Sequence, residues 1–154
     1  MTPDRFNIRV YMLIVNDRGE LLLSDELLAG RHCTKFPGGG LEFGEGPIEC
    51  VQREALEELG QEIEVLEHAY TTDFFLQSSF RKSDQVLSIY YRAQLKAHPS
   101  FREAKKPFDF QMFEEGEESF RWKTLTSIDP QELTFPADRK ALEVLRKENS
   151  EVGR

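Results

Sequence analysis

Long apolar runs are missing from this 154-residue chain. The longest, Tyr11-Met12-Leu13-Ile14-Val15, is far shorter than the roughly 20 residues a membrane-spanning helix needs, which excludes a helical membrane protein. Excess positive charge is missing too. The net charge is −8, whereas a surface that neutralises duplex phosphates needs clustered Lys and Arg. A nucleic-acid polymer is therefore not the expected partner. A small polyphosphate stays open, because a divalent cation can bridge acid to acid. Cysteine is scarce: Cys33 and Cys50 show no pairing pattern and read as free, reduced thiols. His32, His68 and His98 are scattered without the spacing of a zinc site. Residues 1–5 lack the basic and apolar regions of a secretory signal, so cytoplasmic residence is the expectation. No Gly-Lys-Ser/Thr follows a glycine run as a phosphate-binding loop requires. No Gly-x-Ser-x-Gly elbow supplies an acyl-transfer nucleophile.

What is present fits one domain with a real core: 39% of residues are hydrophobic and 11% aromatic. Residues 6–15 and 21–23, joined by Asn16-Asp17-Arg18-Gly19, read as a β-hairpin. Residues 24–46 read as loop, with Gly38-Gly39-Gly40 forcing an abrupt turn. Pro47 opens a helix that closes at Gly60. Residues 63–69, 71–80, 86–95 and 120–125 read as strands. Residues 97–118 form a long loop that begins basic and ends acidic. A last helix spans 138–148, and residues 149–154 are expected to fray. Strands interleaved with two helices predict a mixed sheet packed between helices in an α/β sandwich.

The helix at 48–59 carries the chemistry. At about 100° per residue, Glu54, Glu57 and Glu58 share an arc of about 100°. Ile48, Val51, Ala55, Leu56 and Leu59 occupy the adjoining arc and are expected to face the sheet. Like charges three and four residues apart repel. Either the acidic face is simply solvated or a hard cation such as Mg²⁺, completed by substrate phosphates, offsets the repulsion. Glu45 can join the cluster, and a backbone carbonyl of the glycine turn can complete the metal shell.

The full spacing decides between these. Gly39, five residues, Glu45, seven residues, then Arg53-Glu54-Ala55-Leu56-Glu57-Glu58-Leu59-Gly60 resembles the Nudix box, the signature of hydrolases acting on a nucleoside diphosphate linked to another moiety. Fixed residues of roughly 5–7% frequency at those offsets arise by chance about once in a million chains or rarer. The box closes at Gln61, where the family has an aliphatic residue; Ile63 is available to pack the helix end instead. The resemblance implies an α/β/α Nudix fold, Mg²⁺ or Mn²⁺ dependence and water attack on phosphorus. By position, Glu57 and Glu58 correspond to metal ligands, Glu54 to a ligand or the general base, Arg53 to the residue orienting them, and Gly39 or Gly40 to the carbonyl ligand. Some members take the base from a later loop, where Glu114, Glu115, Glu117 and Glu118 are candidates.

The substrate is less legible. The marks of ADP-ribose, dinucleoside polyphosphate, coenzyme A and NADH hydrolases are absent. The segment Leu133-Thr134-Phe135-Pro136-Ala137-Asp138 resembles the one preceding the last helix in mutator-type nucleoside triphosphate hydrolases, which places Asp138 at a base-reading position. The same Asp also suits a helix N-cap. Phe36, Phe74, Phe75, Tyr90 and Trp122 are candidates to stack on a base, and Arg31, Lys35 and Arg81 to meet phosphates. An active pyrophosphohydrolase of nucleoside triphosphates is the leading expectation. An ADP-ribose or nucleotide-sugar hydrolase comes second, and a non-catalytic Nudix-fold sensor third. The family resemblance allows a homodimer, which no residue here decides.

Overall fold

Residues 10–14 are apolar without alternation, as a strand covered on both faces requires. In the computed structural model, which describes residues 2–152, this run ends strand β1 (Arg5–Ile14). The chain continues through β2 (Glu20–Leu28), β3 (Arg31–Lys35), β4 (Gly38–Gly40), α1 (Pro47–Leu59), β5 (Ile63–Thr71), β6 (Asp84–Leu95), β7 (Glu118–Thr124) and α2 (Pro136–Val152). One sheet has the order β4-β1-β6-β5, with β1 parallel to β6 and the outer pairs antiparallel. The second has the order β3-β2-β7, antiparallel throughout.

Alternation along β1 divides the core. Val10, Met12 and Ile14 join Cys50, Val51, Ala55 and Leu59 of α1. Tyr11 and Leu13 join Leu21, Leu23 and Tyr90, with Ala141, Leu142 and Leu145 of α2. The mixed sheet thus lies between the two helices, as expected. Cys33 and Cys50 are buried free thiols. No helix among the described residues is long and apolar enough to cross a membrane.

Helix α1 keeps its expected limits. Pro47 fills the first turn, and Gly60 ends the helix in the left-handed conformation (φ 67°), its N–H bonded to the Leu56 carbonyl at 3.1 Å. Other expectations are corrected. The turn at residues 16–19 forms, but β1 and β2 share only the bridge Val15 to Leu21 and then part into different sheets. Residues 24–46 are not loop throughout. They hold the rest of β2, then β3 and β4, and the β2–β3 hairpin turns through Ala29 and Gly30, both at positive φ. Residues 72–80 form no strand despite their aromatics; the segment crosses beside β6 with a single bridge, Gln77 to Gln85. Helix α2 continues past residue 149 to Val152, while residues 153–154 lie outside the described residues.

Candidate active site

The faces of α1 divide differently from the expected core side and acid side. With Glu54 at zero, the buried residues Cys50, Val51, Ala55 and Leu59 run from about −40° to about 140°. Glu54 and Glu58 fall inside that arc. Leu56 falls opposite and is 54% exposed, and Ile48, in the first turn, is 46% exposed. Two of the three acids therefore sit at the packed face and only Glu57 stands outside it.

Arg53 gathers this region. Its guanidinium grips Glu45 through two bonds (2.7 and 3.0 Å) and also donates to Glu54 (3.0 Å), Glu57 (3.2 Å) and the carbonyl of Gly40 (3.0 Å). The pairing holds the Glu45 carboxyl down at about 2, chiefly through the Arg53 bonds. One planar fork thus ties the loop after β4, the end of β4 and two turns of α1 into one geometry. Gly40 gives its carbonyl to Arg53, and Gly39, the other glycine candidate for a carbonyl ligand, pairs with Val10 of β1.

Gly39 also has a steric reason to be glycine. A Cβ there would lie 2.3 Å from Oε1 and 2.5 Å from Cδ of Glu54. Gly39→Ala is expected to push the Glu54 carboxylate off Arg53 and lower turnover on the order of 10²-fold, the usual cost of a displacement near 1 Å at a reacting centre. Steady-state kinetics beside a melting curve check this; equal turnover would mean that Glu54 is free to move without consequence.

A second cation faces the other side of the acids. Lys35 is buried, 3.2 Å from Glu26 and 4.0 Å from Glu118. Burial alone would lower its pKa, but Glu58, Glu118 and Glu26 outweigh burial and raise it. Glu58 shows the opposite stress. Burial pushes its carboxyl up to about 10; Lys35 works against this, and Glu118 and Glu54 add to it. Its Oε2 is buried without a hydrogen-bond partner. Drawn onto Arg53 and Lys35, the acids form no ready-made cluster: among the described residues no three Asp, Glu, His or Cys side chains converge as a metal site. The donor set still fits a hard cation, since the buried Glu58 Oε2 has no hydrogen-bond partner to offset its burial.

The later glutamates separate cleanly. Glu115 accepts from the N–H groups of Ala29 and Gly30 at the hairpin tip. Glu117 accepts from those of Gln111, Met112 and Glu114. Glu118, on β7, accepts from Ser24 at 2.9 Å and turns toward Lys35.

Beside this constellation lies a cavity of about 620 Å³ whose lining includes Arg9, Lys35, Phe80, Tyr90, Phe135 and Asp138. Asp138 is not the N-cap. It lies inside α2, fully buried, with Oδ1 accepting from the Tyr90 hydroxyl at 2.5 Å and Oδ2 unpartnered. Burial raises its carboxyl to about 6, Tyr90 and Lys35 opposing. Phe36 is corrected: it is a core residue with no exposure, edge-on to Tyr90. Trp122 packs on Phe101 and donates to Glu103, and Phe74 and Phe75 lie outside the cavity lining. Arg31 and Arg81 do line it, as does the ring pair Phe80 and Phe135. The sequence reading missed that pair and Arg9. An Arg set between Ile8 and Val10, at the edge of an apolar strand, was the available signal.

The sequence model of the NUDIX domain matches residues 5–145. The chain belongs to the Nudix family. Among solved Nudix structures, a MutT NUDIX hydrolase from Burkholderia pseudomallei is 25% identical and covers 92% of this chain and 98% of that one, with a TM-score of 0.69. A NUDIX hydrolase from Nitrosomonas europaea shares the fold at 19% identity, covering 92% and 89%, also with a TM-score of 0.69. Among curated relatives, an RNA pyrophosphohydrolase of Acinetobacter baylyi is 36% identical over 55 residues, 36% of this chain and 32% of that protein. Another, of Halorhodospira halophila, is 39% identical over 57 residues, 37% and 30% of the two. The match thus spans about a third of each curated relative.

Proposed function

We propose that this Nudix protein hydrolyses a phosphoric anhydride bond of a nucleoside diphosphate linked to another group, with a nucleoside triphosphate or modified dNTP as the leading substrate. The carrying observation is that Arg53 fixes Glu45, Glu54, Glu57 and the Gly40 carbonyl at one place while the cavity opens beside the Glu58 and Lys35 side of the same acids. Glu54, Glu57, Glu58 and the Gly39 carbonyl would hold Mg²⁺ (or Mn²⁺), which when bound neutralises phosphate charge and acidifies water. Arg53 orients the carboxylates. Glu54, apart from any ligand role, is the candidate to take the proton of the attacking water as the anhydride P–O bond breaks. Lys35 keeps a positive charge between the acids and the cavity.

A screen of nucleoside triphosphates, ADP-ribose and nucleotide sugars with Mg²⁺ tests the reading by product. Pyrophosphate release supports the leading substrate; a nucleoside monophosphate with a sugar phosphate supports the second. RNA enters the screen because two relatives are named RNA pyrophosphohydrolase. No hydrolysis of any of these, with nucleotide still bound, would make the protein a sensor.

Asp138, which lines the cavity, supplies the candidate base contact. Its folded pKa of about 6 lies above the ordinary 3.8, so the native state keeps a proton that the unfolded chain releases between those values. Stability contributed by this group therefore falls as pH rises from about 4 to about 6, by about 3 kcal/mol in all. Asp138→Asn is expected to remove that slope, raise stability at pH 7 and change the preference among bases. Urea unfolding from pH 4 to 7, compared with wild type, checks the first two. An unchanged slope difference would show that Asp138 is ionised at its site.

A further inference from the structure

Arg9, Arg31, Lys35 and Arg81 line one cavity in a protein of net charge −8. Their partners differ. Lys35 is balanced by Glu26 and Glu118, and the cavity's Asp84 is taken by Arg5 at 2.9 Å. Arg31 and Arg81 are exposed at the surface, Arg31 resting over the Phe80 ring at 5.1 Å. Arg9 alone of the three arginines is half-buried, on β1.

Its position is fixed from one side only. Nε donates to the Tyr11 hydroxyl at 2.9 Å, and the guanidinium lies 5.9 Å from the Tyr11 ring centroid. Among the described residues, its two terminal nitrogens have no hydrogen-bond or ion-pair partner, so a pre-oriented fork presents its donors to the cavity. The pairing register sets Arg9 against Gly40, and a Cβ on Gly40 would come within 3.6 Å of Nη1. Arg53 holds the carbonyl of that same Gly40 at 3.0 Å. Arg9 thus stands at the junction where the cavity meets the acidic helix. The carboxylates of Glu54 and Glu26 act on Arg9 through space without bonding it, so its unspent donors are open to an anionic ligand. The flat two-pronged geometry matches phosphate oxygens.

The geometry points to Arg9 as a substrate-binding residue whose terminal nitrogens hold the first phosphate of the nucleotide, the one joined to the nucleoside. This rests on the nucleotide reading above. The phosphate chain then runs from the cavity past Gly40 toward Glu54, Glu57 and Glu58, which leaves Arg31 and Arg81 out of its first contact.

The test uses Arg9→Met, which keeps bulk, and Arg9→Lys, which keeps charge without the fork. Binding is measured by calorimetry with a chelator present, so that no metal contributes. The probes are a non-hydrolysable nucleoside triphosphate, the matching nucleoside and inorganic tripolyphosphate. The expected result is a 10- to 100-fold loss of triphosphate affinity in Arg9→Met, a smaller loss in Arg9→Lys, unchanged nucleoside affinity and unchanged melting. Equal triphosphate affinity in wild type and Arg9→Met overturns the assignment and leaves the nucleotide reading standing. Tripolyphosphate bound in an Arg9-dependent way, with no nucleotide or nucleoside bound, upholds the anion site and removes the nucleotide reading. No phosphate compound bound by the wild type overturns the assignment.

Discussion

Glu57→Gln is expected to abolish most metal-dependent turnover, on the order of 10³-fold, equivalent to about 4 kcal/mol of barrier. Its fold should scarcely notice. The Glu57 side chain is 57% exposed and, among the described residues, bonds only to Arg53, at 3.2 Å, and such an exposed pair is worth less than about 1 kcal/mol. Losing the pair is further offset by removing a negative charge beside Glu54 and Glu58. Turnover, Mn²⁺ affinity and melting temperature measured together separate the roles: activity and affinity should fall while melting stays put. Near-normal turnover would sink the proposed carboxylate assignment.

Asp25→Ala should have the opposite profile, with its damage in stability. Asp25 is fully buried and holds four bonds: two from Arg121 (2.7 and 3.3 Å), one from the Thr34 hydroxyl (2.7 Å) and one from the Phe108 N–H (3.0 Å). Truncation leaves a guanidinium that is 8% exposed with no counter-charge. The expected loss is about 3–5 kcal/mol, lowering the melting temperature by roughly 10 °C at this chain length. Replacing both partners by apolar residues, as in Asp25→Leu with Arg121→Met, should recover part of the loss, because the stranded charge goes with its partner. A single variant within 1 kcal/mol of wild type would contradict the burial of this pair.

The parts of the molecule legible in sequence are those where one residue type permits one conformation. Pro47 and Gly60 bracket α1 because each enforces its place in a helix, and the box acids follow from that frame. The β2–β3 hairpin was hidden because its turn begins with Ala29, a residue that rarely takes positive φ and so gives no signal. Residues 72–80 have strand-like composition and follow the first part of β6, bonding it at Thr72, Leu76 and Ser78, but the bonds are too irregular to build more than one bridge. Ile48 and Leu56 look like core by type, yet α1 rests on the sheet along Val51, Ala55 and Leu59, and Glu54 and Glu58 take the flank that apolar residues would otherwise hold. Phe36 and Asp138 were legible as chemistry and not as position: one faces into the core, and the other enters its helix and meets Tyr90.

Gln61, the box's one departure, has a physical account. Its buried amide donates to the carbonyl of His98 at 2.9 Å and accepts from the N–H of Ser100 at 2.7 Å, while Ile63 supplies the apolar packing beside Leu59. The segment that follows is secured again where Ala104 bonds Phe120 and Phe108 bonds Asp25. Between those two anchors Lys105 and Lys106 are exposed. A peptide tag or a protease cut at that pair would be absorbed locally, with the strain stopped at either fastening before it travelled to the glycine strand.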